Sequence, residues 1–181
     1  MAQVALYVRT STTQQESSIE AQKERLNSWC KRHKVEGRFF TDRLSGKTDK
    51  RKSLKQMFTY AKQGKVNQVV VCKADRLSRN TLVGLRLKKQ LEKIGCKLTV
   101  LDIPVDLVSA YGHMMFTQLL AFSEFELAAR RERVDAVLWL KTPPKELIKL
   151  RGLGWSQTKL AKHFGIAPNT IRKRLRALNL S

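Results

Sequence analysis

The chain has 181 residues, enough for one mid-sized domain and a small one, and its 42% apolar content is ordinary for a folded protein. Lys and Arg number 36 against 15 Asp and Glu, a net charge of +21, and a surplus of that size points to a polyanionic partner, nucleic acid before a membrane surface. No apolar run reaches the roughly 18 residues of a membrane span, the N-terminus lacks the layout of a signal peptide, and three scattered cysteines, Cys30, Cys72 and Cys96, exclude a disulfide framework or paired zinc ligands. They read as reduced cysteines of a cytosolic protein.

In chain order, Gln3–Val8 is a short strand candidate. Ser18 is placed to cap a helix running to about Lys34, with Leu26, Trp29 and Cys30 inward. Arg38–Thr41 is a second strand, followed by a polar loop, Asp42–Lys52. A helix over Ser53–Gln63 stops at Gly64. The three valines within Gln68–Cys72 suit a strand buried on both faces. A helix over Thr81–Lys93 ends near Gly95, and Lys97–Ile103 reads as another buried strand. This alternation predicts an α/β domain with a mostly parallel sheet over residues 1–111.

From Gly112 to about Leu140 no helix breaker occurs. At about 1.5 Å per residue that is a helix of roughly 40 Å, too long for one compact domain of this size. Its first half, Met114 to Phe125, is almost wholly apolar, so a partner subunit is the natural cover. Its second half turns basic at Arg130, Arg131 and Arg133. The pair Pro143-Pro144 ends it, giving a long helical segment, 112–142, and a small all-α domain, 143–181.

The residues from Lys141 onward carry ten Lys or Arg against Glu146 alone. Three short helices are expected: Pro144–Arg151, Ser156–Phe164 and Pro168–Ala177. Ser156 caps the second, Ala161 sits at a close approach, Gly165 makes the turn, and Ile166, Ile171, Leu175 and Leu178 are buried. This spacing fits a helix-turn-helix, whose second helix offers N-terminal residues to base edges. Asn169, Thr170, Arg172 and Lys173 are candidates for bases, Arg174 and Arg176 for phosphate, and Ser156 is grouped with them as a contact near the DNA.

The stretch Tyr7-Val8-Arg9-Thr10-Ser11-Thr12-Thr13-Gln14-Gln15 resembles the active-site signature of the serine recombinases, the resolvase and DNA invertase family. Ala74-Asp75-Arg76-Leu77-Ser78-Arg79-Asn80-Thr81 is similar to that family's second motif. Phe40 to Gly46, Arg51 to Leu54, Gln22 and Arg131-Glu132-Arg133 also resemble it, in the family's order. The resemblance implies that Ser11 attacks a DNA phosphate to give a 5′-phosphoserine, assisted by Arg9, Asp75, Arg76 and Arg79. Tyr7, Gln15, Gln22, Asp42, Ser45 and Arg51 would support them. No cofactor, metal or nucleotide is implied, because the phosphoester conserves the bond energy. Dimers on double-stranded DNA would meet as tetramers through the long helix, in a prokaryotic-type cytoplasm, associated with the nucleoid.

The residue chemistry agrees independently. Phosphodiester attack needs a nucleophile and cations around an anion gaining charge. Ser11 is expected in a loop after the first strand, the usual place for a reactive side chain. Arg9, two residues away on the strand, should project to the same face, and guanidinium groups grip phosphate at two points. Asp75 is the acid of that cluster, suited to move a proton or to orient an arginine. Rival chemistries fare worse. Gly46-Lys47-Thr48 resembles the end of a phosphate-binding loop, but Thr41 replaces the required glycine. His33, His113 and His163 are scattered, and no acidic cluster suits Mg²⁺. The alternative is a recombinase-like DNA-binding regulator without catalysis.

Three departures from the family pattern stand out: Thr10 for a small aliphatic, Tyr60 for a basic residue, and Leu127 for an arginine. The link after the long helix, about Lys141–Pro144, is also short. Since an extended residue spans at most ~3.6 Å, the small domain is expected close to the long helix, with a changed half-site geometry.

Overall fold

In this computed structural model residues 3–11, 16–44 and 51–180 are described. The chain forms two compact units, Met1–Leu127 and Ala128–Ser181. The first is built on four parallel strands, β1 (Gln3–Ser11), β2 (Gly37–Leu44), β3 (Val66–Val71) and β4 (Lys97–Val100), in the order β2-β1-β3-β4. Helix α1 (Glu16–His33) connects β1 to β2, and α2 (Lys52–Lys62) connects β2 to β3. A single turn, α3 (Ala74–Leu77), and α4 (Thr81–Lys93) then lead to β4.

Side-chain alternation along β1 divides the interior into two layers. Val4, Leu6 and Val8 meet Ile19, Leu26, Trp29 and Cys30 of α1 on one face. Ala5 and Tyr7 meet Leu54, Met57 and Ala61 of α2 and Leu91 of α4 on the other. Val69, Val70 and Val71 are wholly buried, as the apolar run of β3 requires of a strand covered on both sides. The start of α5 (Ala110–Lys141) joins the second layer through Phe116 and Leu120.

Several boundaries move from those the sequence suggests. β1 continues through Arg9, Thr10 and Ser11 because β2 supplies partners as far as the pair Ser11↔Leu44. The backbone of Ser11 is therefore strand rather than loop. β2 likewise extends to Leu44 and takes Asp42 out of the expected loop. α1 begins at Glu16, so Ser18 lies within the helix rather than at its cap. β4 stops at Val100, where a turn leads to Ile103.

The second unit takes in the end of α5 together with α6 (Pro144–Gly152), α7 (Gln157–Phe164) and α8 (Pro168–Ala177). Leu147, Leu160, Ala161, Ile171 and Leu175 form its core. The Ser156 side chain accepts from the Lys159 amide and caps α7, while Gly165, in the left-handed region at φ +60°, ends it. Pro168 at the start of α8 loses no intrahelical hydrogen bond.

Within the first unit α5 starts against the loop that precedes it. A Cβ at Gly112 would lie 2.0 Å from the Asp106 carbonyl oxygen, and backbone cannot yield as a side chain can. Gly112→Ala is therefore expected to destabilise the protein by about 1–3 kcal/mol, opposite to the helix-propensity gain of alanine. The urea unfolding midpoint reads the sign directly.

Candidate active site

The strand order reverses direction between β1 and β3: the chain leaves β1 toward β2 and leaves β3 toward β4. Such a switch point opens a crevice at the carboxyl ends of the strands. Here β3 pairs with β1 only as far as Tyr7↔Val71, whereas β2 follows β1 to Ser11. The end of β1 thus lacks a ladder partner on its β3 side, and α3 fills the gap.

The arginines make this junction. Arg9 Nε donates to the Arg76 carbonyl at 3.1 Å and Arg9 Nη2 to the Asp75 carbonyl at 2.5 Å. Arg76 Nη1 donates in return to the Arg9 carbonyl at 3.3 Å, which Gln22 Nε2 also reaches at 3.3 Å. The two sequence motifs are in this way clasped side chain to backbone in both directions. Gln22 is tied on its other side, where its own carbonyl faces the buried Cys72 thiol at 3.4 Å.

Beneath the clasp lies a buried polar relay. Tyr7 donates its hydroxyl proton to Asp42 Oδ2 at 2.9 Å. Asp42 also accepts the Ser53 and Leu54 amides at 2.9 and 3.0 Å, which satisfies two of the first amides of α2 and sets a negative charge at a helix N-terminus. Arg51 donates to the Tyr7 oxygen from Nε and Nη2 at 3.2 and 3.1 Å, and to the carbonyls of Arg76, at 3.2 Å, and Leu77. Burial pushes the Tyr7 phenol well above its ordinary value; Arg51 opposes this and Asp42 reinforces it.

Arg9 is pushed down to about 10, first by burial and then by repulsion from Arg79 and Arg51, with Asp75 partly offsetting them. It remains charged at neutral pH. Asp75 pairs with Arg76 at 3.3 Å. Its buried Oδ1 has no hydrogen-bond partner among the described residues, which leaves an acceptor open inside a cationic crevice. Arg79 is half-buried and makes no hydrogen bond or ion pair among the described residues. Crowded guanidinium groups with one open carboxylate oxygen form a site for an anion that carries or exchanges a proton.

Tyr7, Arg9, Gln22, Asp42, Arg51, Asp75, Arg76 and Arg79 are therefore gathered at one end of the sheet. Gln15, Ser45, the segment Gly46-Lys47-Thr48 and the Ser11 side chain lie outside what is described. Sequence reasoning missed Glu124 of α5, whose carboxylate accepts the Thr81 amide at 3.0 Å and the Asn80 side-chain amide at 2.9 Å. It anchors the start of α4 immediately after Arg79. Asn80 itself caps α4, its side chain accepting from the Val83 amide.

The basic candidates of the second unit divide. Arg130, Arg131 and Arg133 are exposed on α5, as are Asn169, Arg172, Lys173 and Arg176 on α8, while Thr170 is half-buried. Asn169 accepts from Arg172 Nη2 at 2.7 Å. Arg174 is a correction. Only 3% exposed, it lies over the Trp139 ring instead of facing solvent, so it is not available for phosphate. Its position three residues after Ile171 puts it on the buried stripe of α8. Among the described residues no cluster of three metal-binding side chains occurs, and no helix is long and apolar enough to cross a membrane.

Two measurements check the relay. Since the buried Tyr7 phenol holds its proton beyond the usual range near about pH 10, Tyr7→Phe should leave the ultraviolet tyrosinate titration there unchanged. Asp42→Ala, which strands a phenol and two amides, should lower unfolding free energy by about 2–4 kcal/mol in denaturant titration.

Comparison with known proteins gives a consistent result. The model of the family described as Resolvase, N terminal domain matches residues 4–142. A resolvase/recombinase of Pseudomonas putida is 30% identical over 93% of this chain and 96% of its own. A DNA-invertase of Salmonella typhimurium is 30% identical over 91% and 90%. Among solved structures, the N-terminal catalytic domain of TP901-1 integrase superposes with a TM-score of 0.54 at 29% identity, covering 70% of this chain and 98% of that one.

Proposed function

The chain belongs to the resolvase family, and from that premise we propose that Ser11, the last residue of β1, is the nucleophile of the reaction. The enzyme is a site-specific recombinase that cleaves and rejoins DNA. The Ser11 hydroxyl oxygen attacks a backbone phosphorus, the bond from phosphorus to the 3′ oxygen breaks, and a 5′-phosphoserine and a free 3′ hydroxyl result. Attack by a 3′ hydroxyl on the phosphoserine reverses these bonds and seals the strand. The number of phosphoester bonds is unchanged throughout, so no nucleotide is consumed.

The observation that carries this reading is the gathering of Arg9, Arg51, Arg76 and Arg79 at the end of β1, with Arg9 depressed first by burial and then by its cationic neighbours. A phosphate entering there relieves the repulsion, and its transition state, which gains negative charge, relieves it more. Arg9 and Arg51 are engaged by carbonyl oxygens and hold the frame; Arg79 is unengaged among the described residues and is the arginine suited to grip the phosphate. Asp75 Oδ1 is the acceptor for the serine proton and the donor to the leaving oxygen. A regulator without catalysis would have no use for this arrangement.

Two further assignments complete the reading. The exposed Tyr111, Met114, Phe122 and Phe125 of α5 are covered by a second copy in a dimer on DNA, which pairs into a tetramer for strand exchange. Helices α7 and α8 act as a helix-turn-helix, with Asn169, Thr170, Arg172 and Lys173 toward base edges and Arg176 toward phosphate. Ser156, engaged in capping α7, contributes through that helix's position. Arg130, Arg131 and Arg133 contact the DNA backbone.

Incubation with DNA carrying its site, followed by denaturation, is expected to yield a covalent protein–DNA adduct that is absent in Ser11→Ala. Arg79→Ala should retain DNA binding and lower the cleavage rate by roughly 10²–10³-fold, the range for loss of one transition-state donor. An undiminished adduct in Ser11→Ala would overturn the assignment.

A further inference from the structure

Between α5 and α6 the chain has only Thr142 and Pro143. Thr142 is fully buried, its hydroxyl donating to the Leu138 carbonyl at 2.7 Å. A few residues earlier on α5, Asp135 and Trp139 receive Arg174 of α8. The guanidinium carbon lies 3.7 Å from the Trp139 ring centroid. Nη2 donates to the Asp135 carbonyl at 3.1 Å and lies 3.6 Å from its carboxylate. Only 4% of the Arg174 side chain is exposed, and its Nε and Nη1 have no hydrogen-bond partner among the described residues.

This arrangement is costly for a residue whose task is stability alone. A buried guanidinium gives up hydration that one ring, one carbonyl and a solvent-exposed carboxylate replace incompletely, and a hydrophobic side chain of similar volume often serves as well or better. Burial accordingly pushes the Arg174 guanidinium below its ordinary value, with Asp135 working against it. What arginine offers and a hydrophobic residue does not is direction: a planar group stacked on a ring and aimed at one carbonyl fixes rotation as well as distance. Arg174 also sits on the stripe that carries Ile171 and Leu175. The core of the three helices is thereby continued onto the last turns of α5.

We propose that Arg174 is a positioning residue, and that its clasp on Trp139 and Asp135 sets one fixed register between the basic stretch of α5 and the DNA-reading face of α8. The proposal rests on the assignment of both elements to DNA contact. Each protomer then presents Arg130, Arg131 and Arg133 and the exposed start of α8 as a single rigid surface. A half-site is recognised only when the bases read by α8 stand at one distance from the backbone contacted by α5.

Selection of the full-length protein against a random-sequence duplex library tests this. Wild type should select an α8-dependent base motif, one that Asn169→Ala alters, at a single spacing from the centre of the site. Arg174→Met keeps the packing on Trp139 and removes the directional contacts. It should select the same motif at several spacings, with the preference for the wild-type spacing reduced about tenfold or more, a typical coupling between contacting groups. Arg174→Lys, which retains a cation over the ring, should recover part of that preference. Trp139→Leu supplies the same test from the side of α5 should Arg174→Met fold poorly. Unchanged single spacing in folded Arg174→Met or Trp139→Leu overturns the proposal, as does an equal loss of affinity at every spacing. A wild-type selection without a motif sensitive to Asn169→Ala overturns the DNA-reading assignment itself, and the proposal with it.

Discussion

The Arg9 guanidinium lodged against the carbonyls of Asp75 and Arg76 is the contact on which the rest of the site depends. β1 outruns β3, and the unpaired end of a strand is an energetic liability unless its polar groups find partners. In this fold α3 meets that need: its carbonyls receive Arg9 and Arg51, and the side chain of Arg76 returns to the Arg9 carbonyl. The same bonds that complete the sheet bring two segments more than sixty residues apart into one crevice. Structure and chemistry are in this case one set of hydrogen bonds, so variants of Arg9 carry a cost in both.

Electrostatic tension follows from that economy. Holding Arg9, Arg51, Arg76 and Arg79 together with one nearby ion-paired carboxylate raises the free energy of the site, and repulsion from Arg79 and Arg51 adds to burial in depressing the Arg9 guanidinium. The tension is tolerated because burial of Tyr7, Leu6, Val8 and Val69–Val71 beside it stabilises the fold by about 1.5–3 kcal/mol for each large side chain. On the proposed function it is useful, because a phosphate entering the crevice would meet a field already oriented toward it, with little reorganisation left to do. The surplus of +21 over the whole chain acts at longer range and brings the polyanion to the surface.

Much of this was legible in the sequence. The valines of β3, the cap at Ser156, the stop at Gly165 and the Pro168 start of α8 are local signals that hold whatever surrounds them. The crevice was legible because its chemistry is concentrated in two short motifs. What local patterns cannot carry is the partner of a charged side chain. Arg174 looks like its neighbours Arg172 and Arg176, and only its spacing from Ile171 hinted at burial; the ring that receives it lies 35 positions away. Glu124 is hidden for the same reason, since its partners belong to another helix. β1 reached Ser11 rather than Val8 because β2 supplies a ladder there, a tertiary effect that overrides the polar composition of Arg9-Thr10-Ser11.

The central claim is chemical, so the most direct measurement locates the bond. Mass spectrometry of the DNA-treated protein after nuclease and trypsin digestion should find the nucleotide on the peptide Thr10–Lys23, with fragmentation placing its 5′ phosphate on Ser11 rather than Ser17, Ser18 or the adjacent threonines. A nucleotide attached through any other residue, or none in a preparation that has cut its DNA, would contradict the account.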